Sequence, residues 1–285
     1  MTTTSINSLA ASKTPPARVV DIGINLTNRA FVKHWKEVVR RAMNAGVDKI
    51  LLTGTSVAGS QKSLDLAQQW LETEGSPNLF ATVGIHPHDA KTWDHHTTLS
   101  QMREMLQHPL AVAVGECGLD YNRNFSSKED QLHAFREQLL LACELNKPIF
   151  VHEREAHEDL IRVLDEVRTS RDSQELPPIV VHCFTGTESE ALAYIERGYY
   201  IGFTGTICKK ERGAPLREIL PKLPPEKLMV ETDAPYMGFK KGRRSSEPAD
   251  CVDVARKLGE VIGLSYEDVC RITTENAMLF FNIPE

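Results

Sequence analysis

The sequence predicts a single (β/α)8 TIM-type barrel followed by extra C-terminal helices. Three observations lead there: eight short apolar runs, helical patterns between them, and polar residues placed where several of the runs stop. The chain has 285 residues, close to the usual length of such a barrel, roughly 250 residues before insertions. Strands that alternate with helices pair in parallel and carry their helices outside, and eight strands close a barrel. A doubly wound open sheet is the main competitor.

The elements follow in order. A first strand is expected over 19–25. In the next helix Val32, Trp35, Val38, Val39, Ala42 and Met43 recur at helical spacing, and Gly46 supplies the stop. Strand 49–54 and helix 60–71 form the second unit, strand 79–85 and helix 99–106 the third. Strand 110–114 precedes a long helix, 128–145, with Leu132, Phe135, Leu139 and Ala142 on one face. Strand 148–151 and helix 158–167, strand 179–181 and helix 188–196, and strand 199–203 with a short helix at 216–220 continue the alternation. The eighth strand is expected at 227–230, and two helices, 252–262 and 266–280, close the chain. No repeat, low-complexity tract or linker interrupts the body, so residues 18–285 read as one unit.

Composition narrows the class. Apolar residues make up 41% and charged residues 25%, which is ordinary for a globular chain. No apolar run approaches the length of about 20 residues needed to span a membrane. The net charge of −6 argues against a protein that coats nucleic acid electrostatically, but not against an enzyme that grips a phosphate chain locally. Six cysteines occur with no C-x-x-C pair, which excludes a zinc ribbon or thioredoxin motif and suits a reducing compartment: the cytoplasm, or the nucleus in a eukaryote. Residues 1–17 lack acids and are rich in Ser, Thr and Ala. Without a long apolar core they read as a disordered tail, with a transit peptide as the alternative, rather than as a secretory signal.

Four apolar runs lead directly into a metal-capable residue: Glu116, His152, His182 and Asp233. In a barrel the C-terminal strand ends share one mouth, where active sites lie. A lone histidine at a strand end is usually a hydrogen-bonded structural residue. Two imidazoles and two carboxylates converging on one mouth are suitable ligands for a divalent cation. The first strand adds Asp21 and Asn25 as further oxygen donors, and the third adds His86. His34, His88, His95, His96, His108 and His133 lack this placement and read as surface or packing residues. Cys117 and Cys183 read as small packing residues rather than zinc thiolates. Mg²⁺ prefers oxygen ligands, whereas two imidazoles favour Mn²⁺ or Zn²⁺.

Such a cation suits hydrolysis of an anionic ester. Asp233 is the expected general base, and Glu116 the carboxylate that holds or bridges metal. Arg154 can fork onto phosphate oxygens, or else pair with Glu153 or Glu155. Thr204-Gly205-Thr206 is either a phosphate-binding turn or a plain one. Two basic clusters, Lys209, Lys210 and Arg212, then Lys240, Lys241, Arg243 and Arg244, lie in loops leaving the same mouth and can track a single-stranded backbone, or be solvated charge.

The same segments carry a family resemblance. Asp21-Ile22-Gly23-Ile24-Asn25-Leu26-Thr27, Gly84-Ile85-His86-Pro87-His88, Gly115-Glu116-Cys117-Gly118-Leu119-Asp120, Val151-His152, His182-Cys183-Phe184-Thr185-Gly186 and Glu231-Thr232-Asp233-Ala234-Pro235-Tyr236 resemble, in order, the motifs of TatD-type deoxyribonucleases. The resemblance spans roughly residues 19–282. It implies a barrel of the metal-dependent hydrolase superfamily and exonucleolytic removal of nucleotides from 3′ ends, chiefly of single-stranded DNA and sometimes of RNA. It supports Mg²⁺ as cofactor, puts Glu116, His152, His182 and Asp233 on metal-site positions, and puts His86, Arg154 and His157 near the substrate phosphate. Two departures stand out. Asp21 to Asn25 replaces the His-x-His of many barrel hydrolases, and Ser245-Ser246-Glu247-Pro248, preceded by Arg243 and Arg244, replaces the family's Arg-Asn-Glu-Pro. The alternative is a different bond at the same site, a D-aminoacyl-tRNA ester or a small-molecule amide. A monomer is expected.

Overall fold

The computed structural model describes residues 17–171 and 175–284. The expected tail lies outside the described residues except for Ala17, which packs against the barrel. Eight parallel strands follow one another in sequence order: β1 (Val19–Ile24), β2 (Val47–Leu52), β3 (Leu79–Val83), β4 (Ala111–Asp120), β5 (Ile149–Arg154), β6 (Ile179–Val181), β7 (Tyr200–Phe203) and β8 (Leu228–Val230). Helices α1 (Trp35–Ala45), α2 (Val57–Glu74), α3 (Thr98–Met105), α4 (Lys128–Leu145), α5 (His157–Ser170), α6 (Glu188–Glu196) and α7 (Ala214–Ile219) separate successive strands. Helices α8 (Cys251–Ile262) and α9 (Tyr266–Phe281) end the chain. β1, β3, β4, β6 and β8 are buried at every position, which is why their sequences carry apolar runs rather than an apolar–polar alternation.

Local signals fix the helix ends. Gly46 takes a left-handed φ of 111° after α1 and returns its N–H to Ala42 and Met43. Ser127 accepts from Asp130 N–H at the start of α4, and Thr187 with Glu190 forms a capping box at α6.

The ring closes between β8 and β1 by a short seam. Ile24 bridges Ala234, Asp233 N–H donates to the Gly23 carbonyl at 2.8 Å, and Asn25 N–H donates to the Ala234 carbonyl at 2.7 Å. Asp21, fully buried, clamps this seam: its carboxylate accepts from Thr232 N–H at 2.9 Å and Thr232 Oγ1 at 2.6 Å.

The largest departure from the sequence pattern is β4, which continues six residues past the expected end at Val114. Gly115 and Gly118 explain both the misreading and the strand. Their lack of a side chain interrupts the apolar pattern, yet it lets β4 approach β5. A Cβ at Gly115 would lie 2.3 Å from the Phe150 carbonyl oxygen, and one at Gly118 2.0 Å from that of His152. The register shifts between Gly115 and Cys117, then pairs Gly118 with His152 and Asp120 with Arg154. Buried Gln131 of α4 secures the extension, accepting from Asp120 N–H at 2.8 Å and donating to the Asp120 carbonyl at 3.2 Å.

Candidate active site

The mouth holds a connected chain of imidazoles and carboxylates. Glu116 Oε1 lies 2.9 Å from His152 Nδ1, 2.8 Å from His182 Nε2 and 3.2 Å from His86 Nε2. On the far side of each ligand ring stands a second carboxylate: Asp120 Oδ2 is 3.3 Å from His152 Nε2, and Glu231 Oε2 is 3.2 Å from His182 Nδ1. Asp233, just beyond β8, sits beside this chain with its Oδ1 accepting from Asn25 Nδ2 at 3.0 Å.

Partners decide each group's charge. Burial alone would raise the Glu116 carboxyl, but the charges of His182 and His86 and the bonds from His152 and His182 hold it well below the usual range. Burial opposes charge on His182 too, yet Glu116 and Glu231 push it well above an ordinary imidazole. His152 is raised against burial by Asp120 and Glu116, whereas burial wins at His86 and lowers it. Asp233 goes the other way from Glu116. Burial pushes its carboxyl up to about 7, opposed by His182 and reinforced by Glu116 and Glu231.

The donor set fits a divalent cation. Glu116 Oε1 meets one nitrogen from each of His152 and His182, and the outer nitrogens are held by Asp120 and Glu231, the arrangement that orients metal-bound histidines. Distance alone groups His86, rather than His182, with Glu116 and His152. The His86 ring argues otherwise. Its Nδ1 accepts from the His88 backbone N–H at 3.0 Å, so in the neutral ring Nε2 carries the proton and donates. His86 is therefore better suited to donate to an anion than to ligate a cation.

The structure thus brings together Glu116, His152, His182, Asp233, Asn25 and His86. It does not bring Asp21 to them, since Thr232 occupies its carboxylate. Arg154 ends β5 and has no carboxylate partner among the described residues: Glu153 instead accepts from Ala156 N–H, and Glu155 from Asn122. His157 opens α5 with its ring 4.9 Å from Tyr194. Lys240 pairs with Asp250 at 2.8 Å and Asp253 at 2.6 Å, and Arg243 with Glu247 at 2.8 Å and with Asp250. Those two cations knit the loop after β8 to α8, while Arg244 is exposed. In Thr204-Gly205-Thr206 the Thr206 N–H is taken by Thr204 Oγ1 at 3.3 Å, the arrangement of a plain turn.

Three residues of the mouth escaped the sequence reading. His88, read as surface or packing, bonds Asp120 Oδ2 through Nε2 at 2.8 Å and packs its ring 4.3 Å from His86. The 3₁₀ turn from Pro87 to Thr92 curls His88 back over the mouth. Asp120 was hidden because the strand was expected to stop at Val114. Beyond the register shift, Glu116, Gly118 and Asp120 alternate onto one face. Glu231 has a slot cleared by two glycines: a Cβ at Gly23 would lie 2.5 Å from its Oε2, and one at Gly202 2.6 Å from its Oε1. Its signal was the i, i+2 spacing to Asp233.

Comparison with known proteins identifies the family of the chain. The profile of the family described as TatD related DNase matches residues 20–282. The 3′-5′ ssDNA/RNA exonuclease TatD of Citrobacter rodentium is 42% identical over 268 residues, covering 92% of this chain and 97% of that protein. The protein of the same name from Escherichia coli K12 is 40% identical, covering 92% and 98%. Among solved structures, the TatD homologue YjjV of Escherichia coli K12 superposes with a TM-score of 0.83 at 29% identity, covering 94% of this chain and 99% of that one. A TatD family hydrolase of Entamoeba histolytica gives a TM-score of 0.83 at 25% identity, covering 93% and 98%. The chain belongs to the TatD-related DNase family of hydrolases.

Proposed function

We propose that this chain is a divalent-metal-dependent exonuclease that removes nucleotides from the 3′ ends of single-stranded DNA, and also acts on RNA. The observation that carries the reading is the meeting of Glu116 Oε1 with His152 Nδ1 and His182 Nε2 beside Asp233. The activity for which the bacterial relatives are named, at 40–42% identity over nearly their whole length, supplies substrate and direction.

Glu116, His152, His182 and Asp233 would hold the cation, with Mg²⁺ as working cofactor and Mn²⁺ or Zn²⁺ as substitutes. When bound, a divalent cation neutralises phosphate oxygens and makes water a better acid. Asp233, whose carboxyl burial pushes up to about 7 in the absence of metal, accepts the proton of the attacking water, and Asn25 holds the carboxylate in place. His86 Nε2–H donates to a phosphate oxygen. Arg154, which has no carboxylate partner among the described residues, forks onto the same phosphate, with His157 and Arg244 as outer contacts. Residues 18–285 act as one catalytic unit, which we take to be monomeric and cytoplasmic. Among the described residues no helix is long and apolar enough to cross a membrane.

The test is a 5′-labelled single strand incubated with a panel of divalent metals. A descending ladder that EDTA abolishes is expected. Immediate mid-length fragments, or activity only on D-aminoacyl-tRNA or simple amides, would overturn the proposal.

A further inference from the structure

Two aromatic rings stand exposed among the described residues, Phe125 at 55% and Tyr236 at 53%. Single exposed apolar side chains are ordinary on a soluble protein. These two share a location. Phe125 lies in the loop after β4 and Tyr236 in the loop after β8, so both rise from the mouth that holds the site. In an eight-stranded ring, strands four apart face each other across the barrel, so the rings stand on opposite rims with Glu116 and Asp233 between them.

Each ring is also tied to the site and held in place. Phe125 packs edge-on against His88 at 4.8 Å, and His88 against His86 at 4.3 Å. Its carbonyl accepts from Lys91 Nζ at 3.0 Å, and the next residue, buried Ser126, donates to the His88 carbonyl at 2.9 Å. Tyr236 N–H donates to the Asp233 carbonyl at 2.9 Å, and the Tyr236 hydroxyl accepts from Asn28 Nδ2 at 3.3 Å. The hydroxyl is therefore engaged while the ring stays in solvent. A rigid aromatic face costs little entropy to dock against, and every nucleobase has a π-face to stack on it.

We infer that Phe125 and Tyr236 are stacking platforms for the two bases that flank the scissile phosphate, one on each rim. This rests on the nuclease reading above and deepens it. The strand would enter with its bases splayed to opposite sides and the phosphate between them over Glu116 and Asp233. Paired bases cannot splay in this way, so the platforms themselves select unpaired ends. Because every base can stack, they confer no sequence preference.

The test uses two substrates and one spectroscopic probe. The substrates are a single-stranded oligodeoxynucleotide and the same strand with tetrahydrofuran abasic residues at its last two positions. The probe is 2-aminopurine at the last or penultimate position, read in EDTA so that no cleavage occurs. Wild-type protein should quench 2-aminopurine at both positions, and the abasic strand should show a KM higher by roughly 5- to 150-fold per lost base, the equivalent of about 1–3 kcal/mol. Phe125→Leu and Tyr236→Ala should each relieve quenching at one position and raise KM on the normal strand but not on the abasic one. Phe125→Trp and Tyr236→Phe should restore both readouts. Failure of wild-type protein to cleave either strand with any metal would sink the nuclease reading itself. Cleavage of both strands with equal KM, or quenching unaffected by Phe125→Leu and Tyr236→Ala, would overturn the platforms and leave the nuclease standing.

Discussion

The two walls of the mouth use the same residue types and reach opposite electrostatic states. On the wall of β4 and β5, Glu116 and Asp120 face imidazoles, and both carboxyls are held below their usual range although burial opposes this. On the wall of β8 and β1, burial dominates: Asp21 is raised well above its usual value and Asp233 to about 7. The difference teaches where positive charge is missing. The first wall is neutralised from within, so it is a scaffold that holds donors. The second wall has buried carboxyls without a full complement of cations, so it gains most from a bound metal and can exchange a proton near neutral pH.

The sharpest way to break this comparison is to remove the charge at its centre. Glu116→Gln keeps size but removes the anion that His152 and His182 share, leaving each with one carboxylate, Asp120 or Glu231. Metal affinity should fall, and kcat should drop roughly 10³-fold or more, since several kcal/mol of charge stabilisation are lost. Circular dichroism should remain native. Retention of activity within tenfold would remove Glu116 from the site. Asp233→Asn comes next. Loss of the general base should lower kcat by about 10²–10⁴ with little change in KM. It should also flatten the acidic limb of the pH–rate profile, an effect that loss of a purely structural group would not produce.

Stability against pH should separate the walls without any substrate. In EDTA, Glu116 and Asp120 contribute stability that is present above about pH 4, the unfolded carboxylate value, and lost as pH falls through their depressed native values. Asp233 and His182 work in the opposite sense. With native values raised, they contribute stability that is present in acid and is lost as pH rises, through about 7 for Asp233 and through the raised native value for His182. Metal-free protein should therefore melt highest in the mildly acidic range, and metal should restore Tm mostly above pH 7. Each kcal/mol corresponds to roughly 2–4 °C in a chain of about this size. Because a ring proton and a cation compete for His182 Nε2, metal loading should also release protons, measurable by titration calorimetry in two buffers. Equal metal-induced stabilisation at pH 5.5 and 8.5 would contradict the comparison.

How much of this was legible in the sequence differs between the walls for a physical reason. Buried parallel strands leave long apolar runs, so all eight strands could be read, and a polar residue at the end of such a run, as at Asp233 or His182, is conspicuous. The continuation of β4 was not legible, because glycines that allow close backbone approach look like strand breakers. Asp120 and the pairing of His88 with it were lost with that extension. Glu231 was visible as a letter, but not its slot, because the depth of the slot depends on Gly23 and Gly202, which lie on two other strands. Asp21 shows the converse: a carboxylate in a plausible motif turned out to be consumed by the barrel seam.

The smallest expected effect concerns the cations around the mouth, where charge alone suggested one function for two different groups. Lys240 and Arg243 already satisfy Asp250, which is 1% exposed, together with Asp253 and Glu247. A phosphate would have to compete with those carboxylates, so these two side chains have little to offer a substrate. Arg154 has no carboxylate partner among the described residues, and Lys209, half-buried in the loop after β7, lies close enough to Cys183 for their charges to interact and is lowered by burial and by Arg212. Such a cation gains from an anion. Arg154→Ala should therefore raise KM for a single strand about tenfold or more, given about 1.5–3 kcal/mol for hydrogen bonds to charged groups, and Lys209→Ala less. Both changes should reduce the salt dependence of binding. Lys240→Ala with Arg243→Ala should leave KM within about twofold but lower stability on the order of 2 kcal/mol, because Asp250 loses its partners while the exposed ends of those pairs were already screened. Measuring KM and Tm on the same variants decides between the two assignments. A large KM effect at unchanged Tm for the Lys240 and Arg243 pair would mean that these side chains leave their carboxylates to hold substrate, and that the loop after β8 belongs to the binding surface after all.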